Sequence, residues 1–311
     1  MTGLANDTGG HSAPAHGLRG ELGSILSDIK LSHSVFALPF ALIGLLVGNR
    51  GRLPDVPTAA FLLLAMVLAR SAAMAFNRLA DHRFDETNPR TQQRALPAGR
   101  VSRQTMTVFL VACSVGFMLV ASWFGTLCLL LSPLVLAALF GYSLTKRFTA
   151  LAHAFVGFAL ALSPPAAYLA VRGQVDADVA GVLWVAAAVL LWVGGFDIIY
   201  ACQDIEHDRR ENLHSLPSRL GPTRALLLAR IAHVGMIASL CMAVTVAGWG
   251  LLSWIGVGLV ALLLIIEHSL VAGGDLKRVN AAFFTVNGVV SIIFALLVAF
   301  DLTRHAEVLW P

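Results

Sequence analysis

From end to end the chain alternates long apolar runs with short polar joints. Nine apolar stretches are readable, at roughly residues 32–49, 57–76, 105–123, 125–142, 151–171, 178–200, 225–247, 250–268 and 281–300. A helix needs about 20 apolar residues to cross a hydrocarbon core of ~30 Å, and in lipid only helices and closed barrels satisfy their own backbone. The pattern predicts an all-α polytopic membrane protein with about nine transmembrane helices. Only Phe124-Gly125 separates the third and fourth runs, and the seventh and eighth meet at Gly248-Trp249-Gly250. Both junctions predict tight helical hairpins.

The polar joints then orient the runs. With the N-terminus in the cytoplasm, cytoplasmic joints carry 16 Lys and Arg and the opposite joints carry four, Arg50, Arg52, Arg172 and Arg304. The positive-inside rule therefore favours a cytoplasmic N-terminus and a C-terminus on the other side. Arg70 and Arg230 fall inside runs. Composition agrees with membrane residence: 57% apolar and 13% charged residues, with a mean hydropathy of +0.77. Residues 1–20 are Gly/His/Ser-rich with no apolar h-region, and read as a disordered polar leader rather than a signal peptide. Residues 21–311 read as one domain. The four cysteines, Cys113, Cys128, Cys202 and Cys241, show no metal or disulfide spacing and read as small buried hydrophobes.

Acidic residues are scarce, 18 in all, yet two clusters stand where runs two and six leave the membrane. The first is Asn77, Asp81 and Asp85. The second is Asp197, Tyr200, Asp204 and Asp208. On helices continuing from the runs, the i,i+4 spacing puts each set on one face. Crowded carboxylates repel unless cations sit among them. Hard oxygen donors of this kind suit Mg²⁺, which takes one or two carboxylates and completes its shell with water and phosphate. Arg78, Arg83, Arg90, Arg94 and Arg100 surround the first stripe, and Arg209 and Arg210 follow the second. Asp for metal and Arg for bare phosphate oxygens is the donor mix of a metal–diphosphate site. The positive-inside rule accounts for part of the arginine density.

Other candidates carry two readings each. Lys146, closing run four, reads equally as a headgroup anchor or a phosphate ligand. Tyr200 is either an interfacial aromatic or a group that meets a diphosphate or a carbocation. Arg70 lies two turns before Asn77 on the same face, and an Arg within a span is a functional candidate by default. It would receive an aromatic carboxylate or form a structural ion pair. Lys30, His33 and Ser34 open the first run. His82, His207, His214 and His268 are not at zinc spacing and read mainly as solvated. Glu267-His268, Asp275 and Asn280 are weak candidates for the rim of a cavity.

The spacing has a family likeness. Asn77-x-x-x-Asp81-x-x-x-Asp85, followed by Asn88-Pro-Arg90-Thr-x-x-Arg94-x-Leu96-Pro-x-Gly99, resembles the first signature of the UbiA superfamily of intramembrane prenyltransferases. Asp197-x-x-Tyr200-Ala-x-Gln203-Asp204-x-x-x-Asp208-Arg, then Leu213-x-Ser215-x-Pro217, resembles the second. Tyr142-Ser-x-x-Lys146-Arg147 resembles a third family segment. The likeness runs from about Lys30 to Phe300 and is closest to the 4-hydroxybenzoate polyprenyltransferase branch, with its menaquinone-pathway relatives.

The resemblance implies nine transmembrane helices around a central cavity in the inner membrane, with the active site facing the cytoplasm. It implies Mg²⁺, a polyprenyl diphosphate and an aromatic acceptor, 4-hydroxybenzoate first and 1,4-dihydroxy-6-naphthoate next. Asn77, Asp81, Asp85, Asp204 and Asp208 would hold the metal. Arg90, Arg94, Lys146 and Arg209 would bind the diphosphate, Tyr200 would meet the diphosphate or the carbocation, and Arg70 would bind the acceptor. Asp197 would orient the second stripe or take the ring proton. The lipid bilayer is an expected partner and nucleic acid is not. Many members carry Asp directly after the first Asn, where this chain has Arg78; that difference bears on the acceptor. Another UbiA-type transferase and a secondary transporter are the rival readings. A transporter would place ionisable groups near the bilayer midplane, whereas here they gather at one face.

Overall fold

The computed structural model describes residues 17–29, 36–271, 279 and 281–310, so Lys30, His33, Ser34, Asp275 and Asn280 lie outside the described residues. The described residues are mainly helical, and no strand occurs among them. Eight helices are long and apolar enough to cross a bilayer. The first predicted run becomes a shorter helix, α2 (Leu38–Gly48), preceded by α1 (Leu18–Ile29). At about 1.5 Å per residue, the 11 residues of α2 cover only ~16 Å.

Helix α3 (Val56–Thr87) is the longest, and its ends are explicit in the sequence. The Asp55 side chain accepts from the Thr58 amide, and Pro57 occupies the first turn, where no amide donor is needed. The helix stops at Asn88, which turns extended as a residue before proline must. Its 32 residues measure about 48 Å, well beyond a ~30 Å core, so the last turns stand clear of the apolar zone. Asn77, Asp81 and Asp85 occupy those turns.

Helices α4 (Arg103–Trp123) and α5 (Thr126–Thr145) form the first predicted hairpin, closed by Gly125 at φ 116°. The run at 151–171 is two coaxial pieces, α6 (Ala152–Ala161) and α7 (Ser163–Arg172). Pro164 and Pro165 remove two backbone donors there, and Ser163 Oγ donates to the Leu160 carbonyl instead. Helix α8 (Val179–Ala201) is the most enclosed span and packs most extensively against α6 and α11 (Pro222–Ala247). Small residues permit the approach, as in other membrane bundles: a Cβ on Gly157 would strike the Leu190 carbonyl, and one on Gly44 the Pro164 carbonyl. The second hairpin joins α11 to α12 (Leu251–Leu270) through left-handed Gly248. A π-helical turn, Ala281–Val286, leads into α13 (Asn287–Arg304).

The second stripe departs from expectation. It is not a smooth extension of its span: α8 ends at Ala201, a 3₁₀ turn covers Cys202–Asp204, and α9 (Ile205–Arg210) follows. The tighter turn rotates Asp204 and Asp208 relative to Asp197, so the three carboxylates do not keep one helical face. Glu267 and His268 also differ from expectation. They do not rim a solvated joint. Glu267 is fully buried and accepts from Asn287 at 2.7 Å, and His268 meets His233 at 3.0 Å. Packing of α11, α12 and α13 encloses them.

Candidate active site

The first stripe is held from three directions. Asn77 donates to Asp81 at 2.8 Å and to Ser143, at the end of α5, at 3.4 Å. Asp85 is buried and accepts two bonds from one Arg94 nitrogen, at 2.7 and 2.8 Å. Asp81 lies 3.5 Å from Arg147, whose guanidinium also donates to the Ala80 carbonyl at 2.6 Å. Arg78, the residue at which the family pattern departs, makes its ion pair outside its own stripe. It pairs with Asp28 of α1 at 3.2 Å and donates to the Asn77 side-chain oxygen Oδ1 at 3.0 Å. It thereby orients the Asn77 amide toward Asp81.

The second stripe is joined to the loop that follows the first. Arg90 grips Asp204 with both prongs of its fork, at 3.0 and 2.7 Å. Its third nitrogen donates to the Tyr200 hydroxyl at 3.2 Å, and the guanidinium sits 5.3 Å from the Tyr200 ring centre. Burial disfavours the Arg90 charge, but the Asp204 bonds outweigh it, and the net shift holds the guanidinium more firmly protonated. Tyr200 rests on Phe283, with ring centres 4.4 Å apart.

Lys146 links the stripes. Burial works against its ammonium, yet Asp208, Asp197, Asp204 and Asp81 together push its pKa above the ordinary lysine value. Lys146 therefore stands in the field of both stripes. Asp208 is buried, and its Oδ2 has no hydrogen-bond partner. Asp197 pairs with buried His153 at 2.7 Å. Arg209 is exposed, and its Nε donates to the Ser218 carbonyl at 3.0 Å, so it ties the turn of α10 (Leu216–Leu220) rather than the carboxylates.

An apolar cavity of about 420 Å³ begins one turn below Asn77. Arg70, Met74 and Tyr142 line its near end, and Phe124 and Ala170 its far end. Along α3 the lining runs from Met74 to Leu62, a depth of roughly 18 Å at 1.5 Å per residue. Arg70 therefore faces the apolar chamber, below the carboxylates.

Among the described residues no group of three or more His, Cys, Asp or Glu side chains is already gathered as a metal cage. Asp81, Asp85 and Asp204 are each paired with an arginine instead. The carboxylates nonetheless fit a hard cation, and the buried Asp208 Oδ2 lacks a hydrogen bond, whereas the Asn77 amide oxygen accepts from Arg78 and its nitrogen faces Asp81. His153 escaped the sequence reading, and Ser143 and Arg147 entered it only within the Tyr142-Ser-x-x-Lys146-Arg147 segment, without roles of their own. A single His in an apolar run was the only available signal for His153.

Comparison with known proteins agrees with this architecture. Residues 37–289 match the model of the UbiA prenyltransferase family. A 4-hydroxybenzoate octaprenyltransferase of Methylococcus capsulatus is 30% identical over 262 residues, covering 83% of this chain and 87% of its own. One from Xanthomonas campestris pv. campestris is 34% identical over 248 residues, covering 78% and 80%. The apo structure of a UbiA homolog from Aeropyrum pernix superposes with a TM-score of 0.78 at 34% identity, covering 88% of this chain and 98% of that one. A UbiA homolog from Archaeoglobus fulgidus bound to GPP and Mg²⁺ shares the fold, with a TM-score of 0.67 at 18% identity, covering 90% and 99%. The paired acidic stripes, the helices that carry them and the matched length all lead to one conclusion: the chain is an integral membrane protein of the UbiA prenyltransferase family.

Proposed function

We propose that the protein transfers a polyprenyl group from polyprenyl diphosphate to the ring of an aromatic quinone precursor, 4-hydroxybenzoate first and 1,4-dihydroxy-6-naphthoate next. One observation carries the reading: Arg90, from the loop that follows the first stripe, grips Asp204 of the second stripe immediately above a long apolar chamber. The names of the bacterial relatives support the acceptor class.

In this reading Asn77, Asp81, Asp85, Asp204 and Asp208 hold Mg²⁺, which supplies Lewis-acid neutralisation of the diphosphate. Arg90, Arg94 and Lys146 add charge-assisted hydrogen bonds to phosphate oxygens. The C–O bond between the allylic carbon and the diphosphate breaks, with both electrons leaving on oxygen. The chamber excludes water from the allylic cation, and Tyr200 offers it an aromatic face. A ring carbon of the acceptor bonds to the cation, and the displaced ring proton passes to Asp197. Arg70 binds the acceptor carboxylate. The site faces the cytoplasm of an inner membrane, as the distribution of Lys and Arg implies.

The test is direct. Membranes containing the protein are incubated with Mg²⁺, labelled geranyl diphosphate and, in parallel, each acceptor. A prenylated aromatic product is expected from one of them. Absence of product with both acceptors would overturn the reading.

A further inference from the structure

We propose that His153 is a positioning residue for this reaction: it sets the Asp197 carboxylate and, through the strap of residues 213–216, ties that carboxylate to Lys146. The proposal rests on the reading of Asp197 as the acceptor of the ring proton.

His153 sits in the first turn of α6, almost wholly buried at 1% exposure. Its Nδ1 lies 2.7 Å from Asp197 Oδ2, and its Nε2 lies 3.4 Å from the backbone nitrogen of Leu216. A backbone amide can only donate, so Nε2 is the accepting nitrogen. The ring proton therefore resides on Nδ1 and points at Asp197. A proton on Nε2 would face the Leu216 N–H. Asp197 thus differs from Asp85 and Asp204, which are bound by guanidinium groups. One oxygen is fixed by the ring, and the side chain keeps 23% exposure toward the site.

The strap extends the effect. The Leu213 amide donates to the Asp208 carbonyl at 2.8 Å, and the His214 amide to the Lys146 carbonyl at 2.6 Å. Ser215 and Ser218 cap one another and pin the strap to α10. Four consecutive residues therefore touch the end of α5, the start of α6 and α9. Among the described residues, His153 is the one side chain that holds both the strap and Asp197. Loss of its Nε2 acceptor would loosen the backbone contact, and loss of its Nδ1 donor would release the carboxylate.

The test compares His153→Leu, His153→Gln, Asp197→Asn and the double variant His153→Leu/Asp197→Asn. Purified enzyme is assayed with Mg²⁺, geranyl diphosphate and whichever of the two acceptors the wild type turns over. Removing a supporting partner of this kind costs about 10–100-fold. His153→Leu is expected to lose that much in kcat, with the KM for geranyl diphosphate little changed. His153→Gln, which can both donate and accept, recovers most of the loss. The double variant is no slower than Asp197→Asn, because His153 acts through that residue. Wild-type turnover in His153→Leu beside an inactive Asp197→Asn would overturn the proposal, as would a His153→Gln as slow as His153→Leu. Full activity in Asp197→Asn would overturn the reading of Asp197 as proton acceptor, and the role of His153 in turnover with it. A readout independent of turnover is ¹⁵N NMR of histidine-labelled protein, which reports which ring nitrogen carries the proton. A proton on Nδ1 of His153 is expected. A proton on Nε2 would overturn the assigned geometry even if neither acceptor is turned over or the leucine variant fails to fold.

Discussion

Arg90 is the sharpest place to test the site, because one side chain joins the loop after the first stripe to the second. Arg90→Leu removes two bonds to Asp204, at 3.0 and 2.7 Å, and one to the Tyr200 hydroxyl at 3.2 Å. Hydrogen bonds to charged groups contribute about 1.5–3 kcal/mol each. The Arg90 side chain is 37% exposed, and solvent screening takes its pair with Asp204 toward the low end, about 2–3 kcal/mol in all. The catalytic cost is separate. Loss of one preorganised donor at a site of developing negative charge costs about 2.7–4 kcal/mol, or about 10²–10³ in kcat. Arg90→Lys keeps a charge but not the planar fork, and is expected to fall between wild type and leucine. The assay is steady-state kinetics in detergent at saturating acceptor, with thermal unfolding of each variant alongside. Arg90→Leu should lower kcat strongly and raise the KM for the diphosphate. A variant that melts earlier yet turns over at the wild-type rate would refute the reasoning and leave Arg90 a structural tie.

Four further outcomes are expected. Asp81→Ala and Asp204→Ala should each abolish turnover, and EDTA should do the same to the wild type; full activity in EDTA would sink the metal assignment. Arg70→Leu should raise the acceptor KM severely and leave the diphosphate KM nearly unchanged, and the reverse pattern would move Arg70 to the phosphate shell. In a cysteine-free background, Gln174→Cys should react with an impermeant thiol reagent added to intact cells while Gln93→Cys does not; labelling of the second alone would invert the topology. At the face opposite the stripes, the Tyr168 hydroxyl and the Arg172 guanidinium hold Asp176 below the ordinary value of 3.8. That contribution is complete above 3.8 and lost as pH falls through the lowered value, so Asp176→Asn should lower the melting temperature at neutral pH and matter least in strong acid; an equal loss at both would contradict it.

Much of this protein is legible in local signals. Lipid allows so few backbone solutions that apolar run length alone announces the spans, and glycine at Phe124-Gly125 and Gly248-Trp249-Gly250 announces the hairpins. Asp55, Pro57 and Pro89 mark both ends of α3, and the spacing of Asn77, Asp81 and Asp85 survives intact because one unbroken helix carries it. Partner choice was not legible. Arg90 finds Asp204 across 114 positions, and His153 finds Asp197 across 44. A side chain's charge is written at its own position, but what it meets depends on which helices the small residues allow to close, as Gly157 does for α6 against α8. The same packing buries Glu267 against Asn287, which spacing reads as a rim. The 3₁₀ turn at Cys202–Asp204 turns the second stripe off the single face that its i,i+4 pattern promised. Local pattern determined which groups this membrane protein would gather at one face; only the packed bundle decided which of them would touch, because contact between distant segments is a property of the closed structure and not of any stretch within it.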